Sequence, residues 1–357
     1  MFKKNIVVIL LAFMISLLIA GCGTTATKNS DKSAPQAVTE KIKFNVGYLP
    51  AVGHVLYFIA QEKGFFAEEG LDVELFQFTN SGEGLNAIKS GKLDVGSFGT
   101  AAPLTFIDKG TPFVMFGGMQ SEGHAVVAKP ENVDKFKTVQ GFIGTKVATV
   151  RLATGDAVWR QALSKAGIDW KTQVTVQELD SPAAVLEAVK KGSADAGIVW
   201  VPFTEMAEQQ GLSIVEWSSQ YLDSHVCCRL VGLADHIKDN KEGFSRFSRA
   251  LIRAYDFYLN NQDETVDIIS KYVKIDKTLL KKAAYSGHIH SIPDPDRKRI
   301  VAFWEAMKTI GYVKGEQDIN KSINTDIYHE ALGQLKERYP QNATYIQLEK
   351  DYTINDL

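Results

Sequence analysis

Side chains able to do chemistry are densest in Asp223-Ser224-His225-Val226-Cys227-Cys228-Arg229. Two adjacent thiols beside an imidazole are donor types that hold soft metal ions. The same pair could close into a strained vicinal disulfide or sit as inert buried thiols. Side chains alternate along a strand, so only one of the two sulfurs is expected to face any one site. Four further stretches offer contacts: Val52-Gly53-His54, Phe98-Gly99-Thr100-Ala101, Glu122-Gly123-His124 and Arg151-Leu152-Ala153-Thr154-Gly155-Asp156. Thr100 and Ala101 stand at an expected helix start, where backbone N–H groups attract anions. Arg151 could meet an anionic ligand or bridge two parts of the fold, and Asp156 could simply cap its own helix. Trp200 could stack on a flat ligand or fill a core. No nucleophile and base stand at a recognisable spacing, so binding is expected rather than catalysis.

The elements that must position these residues come from a segment used twice. Ile88-Lys89-Ser90-Gly91-Lys92-Leu93-Asp94-Val95-Gly96 returns 101 positions later as Val189-Lys190-Lys191-Gly192-Ser193-Ala194-Asp195-Ala196-Gly197. In each copy an extended stretch (73–78; 174–179) enters a turn, Asn80-Ser81-Gly82 or Asp180-Ser181-Pro182, and a short helix that Gly91 or Gly192 ends. A second apolar strand follows. Two β-α-β units predict two α/β lobes, with ligand in the crevice beyond the carboxyl ends of their strands. Those ends are Gly99-Thr100-Ala101-Ala102-Pro103 and Trp200-Val201-Pro202-Phe203. Residues 43–49 and 146–150 read as the first strand of each lobe, and residues 55–63 and 157–166 as the helices that follow them. From residue 240 the pattern turns helical, over 244–260, 262–274, 297–310 and 328–339, with His288 and His290 expected at the surface and a polar remainder to Leu357.

The first 22 residues read as an address: Lys3 and Lys4, an apolar run over 6–19, then Leu18-Ile19-Ala20-Gly21-Cys22, which resembles a bacterial lipoprotein signal. That resemblance implies lipidation, with palmitate among the acyl chains, at Cys22. Residues 23–42 then form a flexible tether, and the working protein lies outside the cytoplasmic membrane. About 315 residues remain, comfortable for two domains, and the 45% apolar content supplies their cores. A formal charge of −2 with no basic stripe argues against a nucleic-acid partner. Of the three cysteines, Cys22 is assigned to lipid, leaving no long-range disulfide framework.

Gly47-Tyr48-Leu49-Pro50, residues 60–75, 88–103 and 189–203 together resemble the extracytoplasmic solute-binding proteins of ABC importers. The branch is the one that includes nitrate, bicarbonate, taurine, alkanesulfonate and thiamine-pyrimidine binders. The resemblance implies a type II periplasmic-binding fold, two α/β lobes joined by a double crossover hinge. Lobe 1 is expected over 43–140 plus 230–357 and lobe 2 over 141–229. It implies a monomer that closes on a small polar or anionic solute and delivers it to ABC permease subunits, without a cofactor. Expected ligand contacts are Val52, Gly53, His54, Thr100, Ala101, His124, Thr154, Asp156, Trp200, His225 and Cys227. Val201 departs from the branch, where an acid is usual. The cysteine stretch also resembles the iron-using fungal thiamine-pyrimidine synthases, which share the fold, although their fuller cysteine cluster is not reproduced. A metal or metal-chelate receptor, or a metal-using enzyme of that kind, is the alternative.

Overall fold

The computed structural model describes residues 41–357. The signal segment with Cys22, and all but the end of the expected tether, lie outside the described residues. Among the described residues no helix is long and apolar enough to cross a membrane.

Two sheets form. In the first, β1 (Ile42–Tyr48), β2 (Leu71–Gln77), β3 (Val95–Gly99), β4 (Phe113–Glu122), β10 (Val226–Leu233) and β11 (Ile289–Ser291) lie in the order β11-β4-β10-β3-β1-β2. In the second, β5 (His124–Ala128), β6 (Lys146–Val150), β7 (Thr175–Leu179), β8 (Ala196–Trp200) and β9 (Ser213–Trp217) lie in the order β7-β6-β8-β5-β9. Each sheet has three parallel strands, then an antiparallel strand that has just arrived from the other lobe.

The repeat acquires a physical reason here. Val46 pairs with Val95 and Gly47 with Gly96, while Val147 pairs with Ala196 and Ala148 with Gly197, the same register in both lobes. The repeated aspartate clamps the start of the neighbouring strand. Asp94 Oδ2 accepts the Asn45 N–H at 2.6 Å, and Asp195 Oδ2 accepts the Lys146 N–H at 2.8 Å. Gly91 and Gly192 sit at φ +73° and +74°, the left-handed turn that stops each helix at little steric cost. Asn80 and Ser181 cap those helices by accepting the Glu83 and Ala184 N–H groups, each cap worth about 1 kcal/mol.

The lobe boundaries differ from those read in the sequence. Residues 124–128 pair in the second sheet, and Phe136 and Phe142 pack there with Trp159, so the first crossing is at Gly123 rather than after residue 140. Residues 226–229 pair in the first sheet, so the return comes at Ser224, before residue 229. Hydrophobic pattern reveals a strand, but not which of two sheets it completes. The crossings are stitched together: the Glu122 N–H donates to His225 O at 3.0 Å, and the Ser224 N–H donates to Glu122 Oε1 at 2.7 Å.

The helical tail is longer than its polarity suggests, because residues beyond 340 form a further helix, Ala343–Asn355, whose Tyr345, Leu348 and Tyr352 bury against Tyr328 and Leu332. Between the tail helices, Pro293-Asp294-Pro295 runs beneath β4 and β10. Gly118 donates to Pro293 O at 2.7 Å, and the wholly buried Arg229 donates its Nε–H to Pro295 O at 2.7 Å. Arg229 Nη1 also donates to Gln120 O and Cys228 O, tying β10 to β4 from behind.

Asp294 is fully buried, and burial first, then Asp356 and Asp296, push its carboxyl up to about 8, against the pull of Arg229. The folded protein therefore holds a proton that the unfolded chain releases. The stability this contributes is complete below the ordinary carboxylate range and is lost as pH rises through about 8. Asp294→Asn, neutral at every pH, should flatten that decline, worth at most about 1.4 kcal/mol per pH unit. Urea midpoints of both proteins at about pH 5 and pH 9 test it, and parallel declines would refute the assignment.

Candidate functional site

At the carboxyl ends of the parallel strands the two lobes face each other across a hollow. Lobe 1 contributes Leu49, Ala51, His54, Asn80, Ser81, Gly99 and Gln120, and lobe 2 contributes Val150, Arg151, Ala153, Thr154 and Trp200. The crossing strands supply His124, Cys227 and Cys228. The hollow is partly open, and the space within it is about 30 Å³, room for roughly two waters.

His54 is oriented from behind. Its Nδ1 accepts the Leu49 N–H at 2.9 Å, which holds the ring beside Cys228. His124 stands opposite Trp200 in the β5–β8 register, with ring centroids 6.3 Å apart. Burial, then the charge of His225, hold His124 down to about 3, so it too is neutral. Gly155 allows this placement, because a Cβ there would lie 2.6 Å from the His124 ring.

Both cysteines line the hollow, against the expectation of alternation. β10 carries a bulge: Val226 and Cys228 oppose the consecutive residues Ser121 and Gln120, leaving Cys227 as the extra residue. The bulge turns neighbouring side chains to one side, and the sulfurs lie 3.3 Å apart as free thiols. The hydrogen bond from Cys227, then the one from His54, pull the Cys228 thiol down against its burial, whereas burial pushes Cys227 up. Cys227 Sγ also lies 3.8 Å from His124 Nε2. Among the described residues, no group of three or more His, Cys, Asp or Glu side chains is arranged to hold a metal ion.

Of the expected contacts, His54, His124, Thr154, Trp200 and Cys227 meet at the hollow. Six others do not line it. Val52 is in the lobe 1 core. Gly53 serves close packing, since a Cβ there would overlap the Gln120 side chain. The Thr100 hydroxyl donates to Cys227 O at 2.7 Å, and the Ala101 N–H faces Thr154 Oγ1 at 3.5 Å, so this helix start is occupied by protein groups. His225 lies behind His124 with its Nδ1 2.8 Å from Leu222 O. Asp156 is buried in a different contact, described below. Asn80, Ser81, Gln120 and Cys228 join the lining without having been singled out as contacts; the first two were legible as the turn before the repeat helix, whereas Gln120 gave no signal. Arg151 neither bridges the lobes nor sits deep: its side chain is 68% exposed and meets Glu178 at 3.4 Å.

Asp156 accepts from Arg160 Nε at 2.9 and 3.0 Å, and from the hydroxyl of Tyr312, a residue of the tail. The Arg160 guanidinium lies over the rings of Trp170 and Tyr312. Burial raises the Asp156 carboxyl, with Arg160 and Tyr312 opposing. The tail, expected only to pack on lobe 1, thus also holds lobe 2. His288, expected at the surface, stacks on Trp217 with centroids 3.8 Å apart, and Lys282 pairs with Glu208 at 2.7 Å.

Two mixed sheets that exchange strands and face a shared hollow define the fold of periplasmic binding proteins. Solved structures agree: a nitrate-binding protein of Synechocystis matches with TM-score 0.73 at 18% identity, covering 83% of this chain and 90% of that one. A zinc-bound ligand-binding component of an ABC-type import system from Staphylococcus aureus matches with TM-score 0.71, 18% identity and coverage of 82% and 99%. Residues 51–265 match the NMT1/THI5-like family, and the chain belongs to it. A Brucella abortus protein described as a binding protein is 28% identical over 255 residues, 70% of this chain and 78% of that one. A 4-amino-5-hydroxymethyl-2-methylpyrimidine phosphate synthase of Saccharomyces cerevisiae is 25% identical over 240 residues, 62% and 68% of the two chains. A formylaminopyrimidine-binding protein of Halalkalibacterium halodurans is 23% identical over 269 residues, 72% and 77%.

The Tyr312 hydroxyl is expected to contribute about 1–2 kcal/mol to the contact between tail and lobe 2. Tyr312→Phe should therefore increase the radius of gyration in small-angle X-ray scattering while leaving the circular dichroism spectrum unchanged. Superimposable scattering curves would show that the contact does not restrain the lobes.

Proposed function

We propose that this chain is the solute receptor of an ABC importer, and that its solute is a small, neutral heteroaromatic compound of the aminopyrimidine class. The observation that carries the reading is the hollow itself, built from both lobes and lined, apart from the solvated Arg151 and the lowered Cys228 thiol, by uncharged donors, acceptors and an aromatic face. A ligand that touches both lobes favours the closed arrangement by its differential affinity for it. The space of about 30 Å³ is too small to hold a ring unless the lobes part, so capture is coupled to hinge motion about the crossings at Gly123 and Ser224.

The lining supports a neutral solute over an oxyanion. His124 is neutral, the His54 Nδ1 is taken up by the Leu49 N–H, Arg151 is solvated and paired, and the lowered Cys228 thiol adds negative rather than positive character. The start of the helix Ala101–Asp108, a ready anion site in principle, is taken up by Thr154 and Cys227. Trp200 offers a stacking face, and Asn80, Ser81 and Gln120 offer mixed donors and acceptors that suit ring nitrogens and an exocyclic amine. The pyrimidine-binding relative supports the same class.

In this reading the receptor is a monomer held by a lipid on Cys22 outside the cytoplasmic membrane, and it hands its solute unchanged to the permease. Binding without turnover is preferred over synthase chemistry because a receptor needs only the two-lobed hollow and its neutral lining.

A thermal-shift series with aminopyrimidines, nitrate, taurine and alkanesulfonates tests the solute class. Aminopyrimidines should raise Tm and the anions should not. Trp200→Ala should weaken the binding about tenfold, equivalent to about 1.4 kcal/mol. Stabilisation by nitrate or a sulfonate alone would replace the solute class, and consumption of an aminopyrimidine by the purified chain would replace the receptor reading.

A further inference from the structure

The Cys227–Cys228 pair is more than lining. The carbonyl of the peptide joining the two residues, Cys227 O, accepts the Thr100 N–H, the Thr100 hydroxyl at 2.7 Å and the Thr154 hydroxyl at 3.2 Å. Thr100 follows β3 of lobe 1 and Thr154 begins the helix Thr154–Lys165 of lobe 2. One carbonyl therefore joins both lobes to the return strand, and it lies inside the ring that a bond between the two sulfurs would close.

We propose that Cys227 and Cys228 are a reversible dithiol–disulfide couple, and that its oxidation loosens the contact between the lobes by displacing the Cys227 carbonyl. The sulfurs, already 3.3 Å apart, need approach only to about 2.05 Å. Adjacent Cα atoms lie about 3.8 Å apart, below the roughly 4.4–6.8 Å that disulfides normally span. Side-chain rotation alone cannot absorb that mismatch, so the intervening peptide must turn, and its carbonyl moves away from Thr154. The same strain makes the bond easy to reduce, which suits a labile switch rather than a permanent staple.

The oxidant is a peroxide. The Cys228 thiolate attacks one peroxide oxygen; the S–O bond forms as the O–O bond breaks, and hydroxide leaves to take up a proton as water. The Cys227 sulfur then attacks the Cys228 sulfur; the S–S bond forms as the S–O bond breaks, and the second hydroxide leaves as water with the Cys227 proton. Two thiols lose two electrons, and one peroxide becomes two waters. An external dithiol reverses the change by thiol–disulfide exchange. The hydrogen bonds to Cys228 from Cys227 and His54 assign it the attacking role.

The test uses the purified full chain and no solute, so it is independent of the solute class. The protein is treated with hydrogen peroxide, unfolded, alkylated and digested with trypsin. Cleavage after Lys191 and Arg229 yields one peptide, 192–229, holding both cysteines and neither end of the tether. The peptide is expected to lose the mass of two hydrogens and take up no alkyl group, and dithiothreitol should restore two alkylatable thiols. Small-angle scattering of oxidised protein should show a larger radius of gyration than reduced protein, a change absent in Cys228→Ser and in Cys227→Ser. Two alkylated cysteines after peroxide treatment, sulfinic acid in place of the disulfide, or disulfides between chains would overturn the couple. An intrapeptide disulfide with unchanged scattering would overturn its link to the lobes.

Discussion

The architecture turns on an exchange of strands: β5 leaves lobe 1 to pair beside β8, and β10 leaves lobe 2 to pair beside β3. Both exchanged strands have a neighbour on each side in their new sheets, so neither lobe has a complete sheet without chain from the other. Glu122 fastens the two crossings, its backbone N–H on His225 and its carboxylate on Ser224. From that stitch follow the positions of His124, two residues past it on one strand, and of Cys227 and Cys228, just past it on the other. A hinge placed there can let the lobes move while the residues on the crossings stay close to the axis.

Few charged groups are left free at the hollow. Burial keeps His124 neutral, a backbone N–H fixes the tautomer of His54, and the two thiols share their polarity with each other and with His54. Most groups that advertise metal or anion chemistry in the sequence thus satisfy one another, while His124 Nδ1 is buried without a hydrogen-bond partner among the described residues. The charged residues near the site are diverted. Asp156 and Arg160 bind the tail, Arg229 is consumed by backbone carbonyls behind β10, and Arg151 faces solvent. What remains for a solute is hydrogen bonding and aromatic surface.

The tail changes how closure is understood. Its helix Lys241–Asn260 packs on the lobe 1 core, where Phe244 and Phe247 meet Phe44, while Tyr312, His288 and Lys282 reach lobe 2. The most protected of these contacts is the one at Asp156, since Lys282 and Glu208 are both half exposed and worth little. Opening the lobes must therefore break a buried contact to the tail as well as the Thr154 hydrogen bond to Cys227.

The doubled segment made the fold legible without coordinates. A nine-residue echo carries its own helix stop, which depends on residues close in sequence, as do the turns at Asn80 and Ser181 that cap the helices, while its aspartate clamp and strand register reach about 50 residues back to the first strand of the same lobe. The carboxyl-end loops, with His54, Thr154 and Trp200, followed from that topology. Which sheet each crossing strand joins depended instead on partners a hundred residues away. The bulge that turns Cys227 and Cys228 to the same side arises from a mismatch between β4 and β10. Asp156 became a contact to the tail because Tyr312 arrives beside it only when the tail folds over both lobes. Local sequence determined the elements and their ends through hydrogen bonds within each segment. Only the tertiary structure decided which polar groups were already satisfied by distant partners, and therefore which were left to meet a solute.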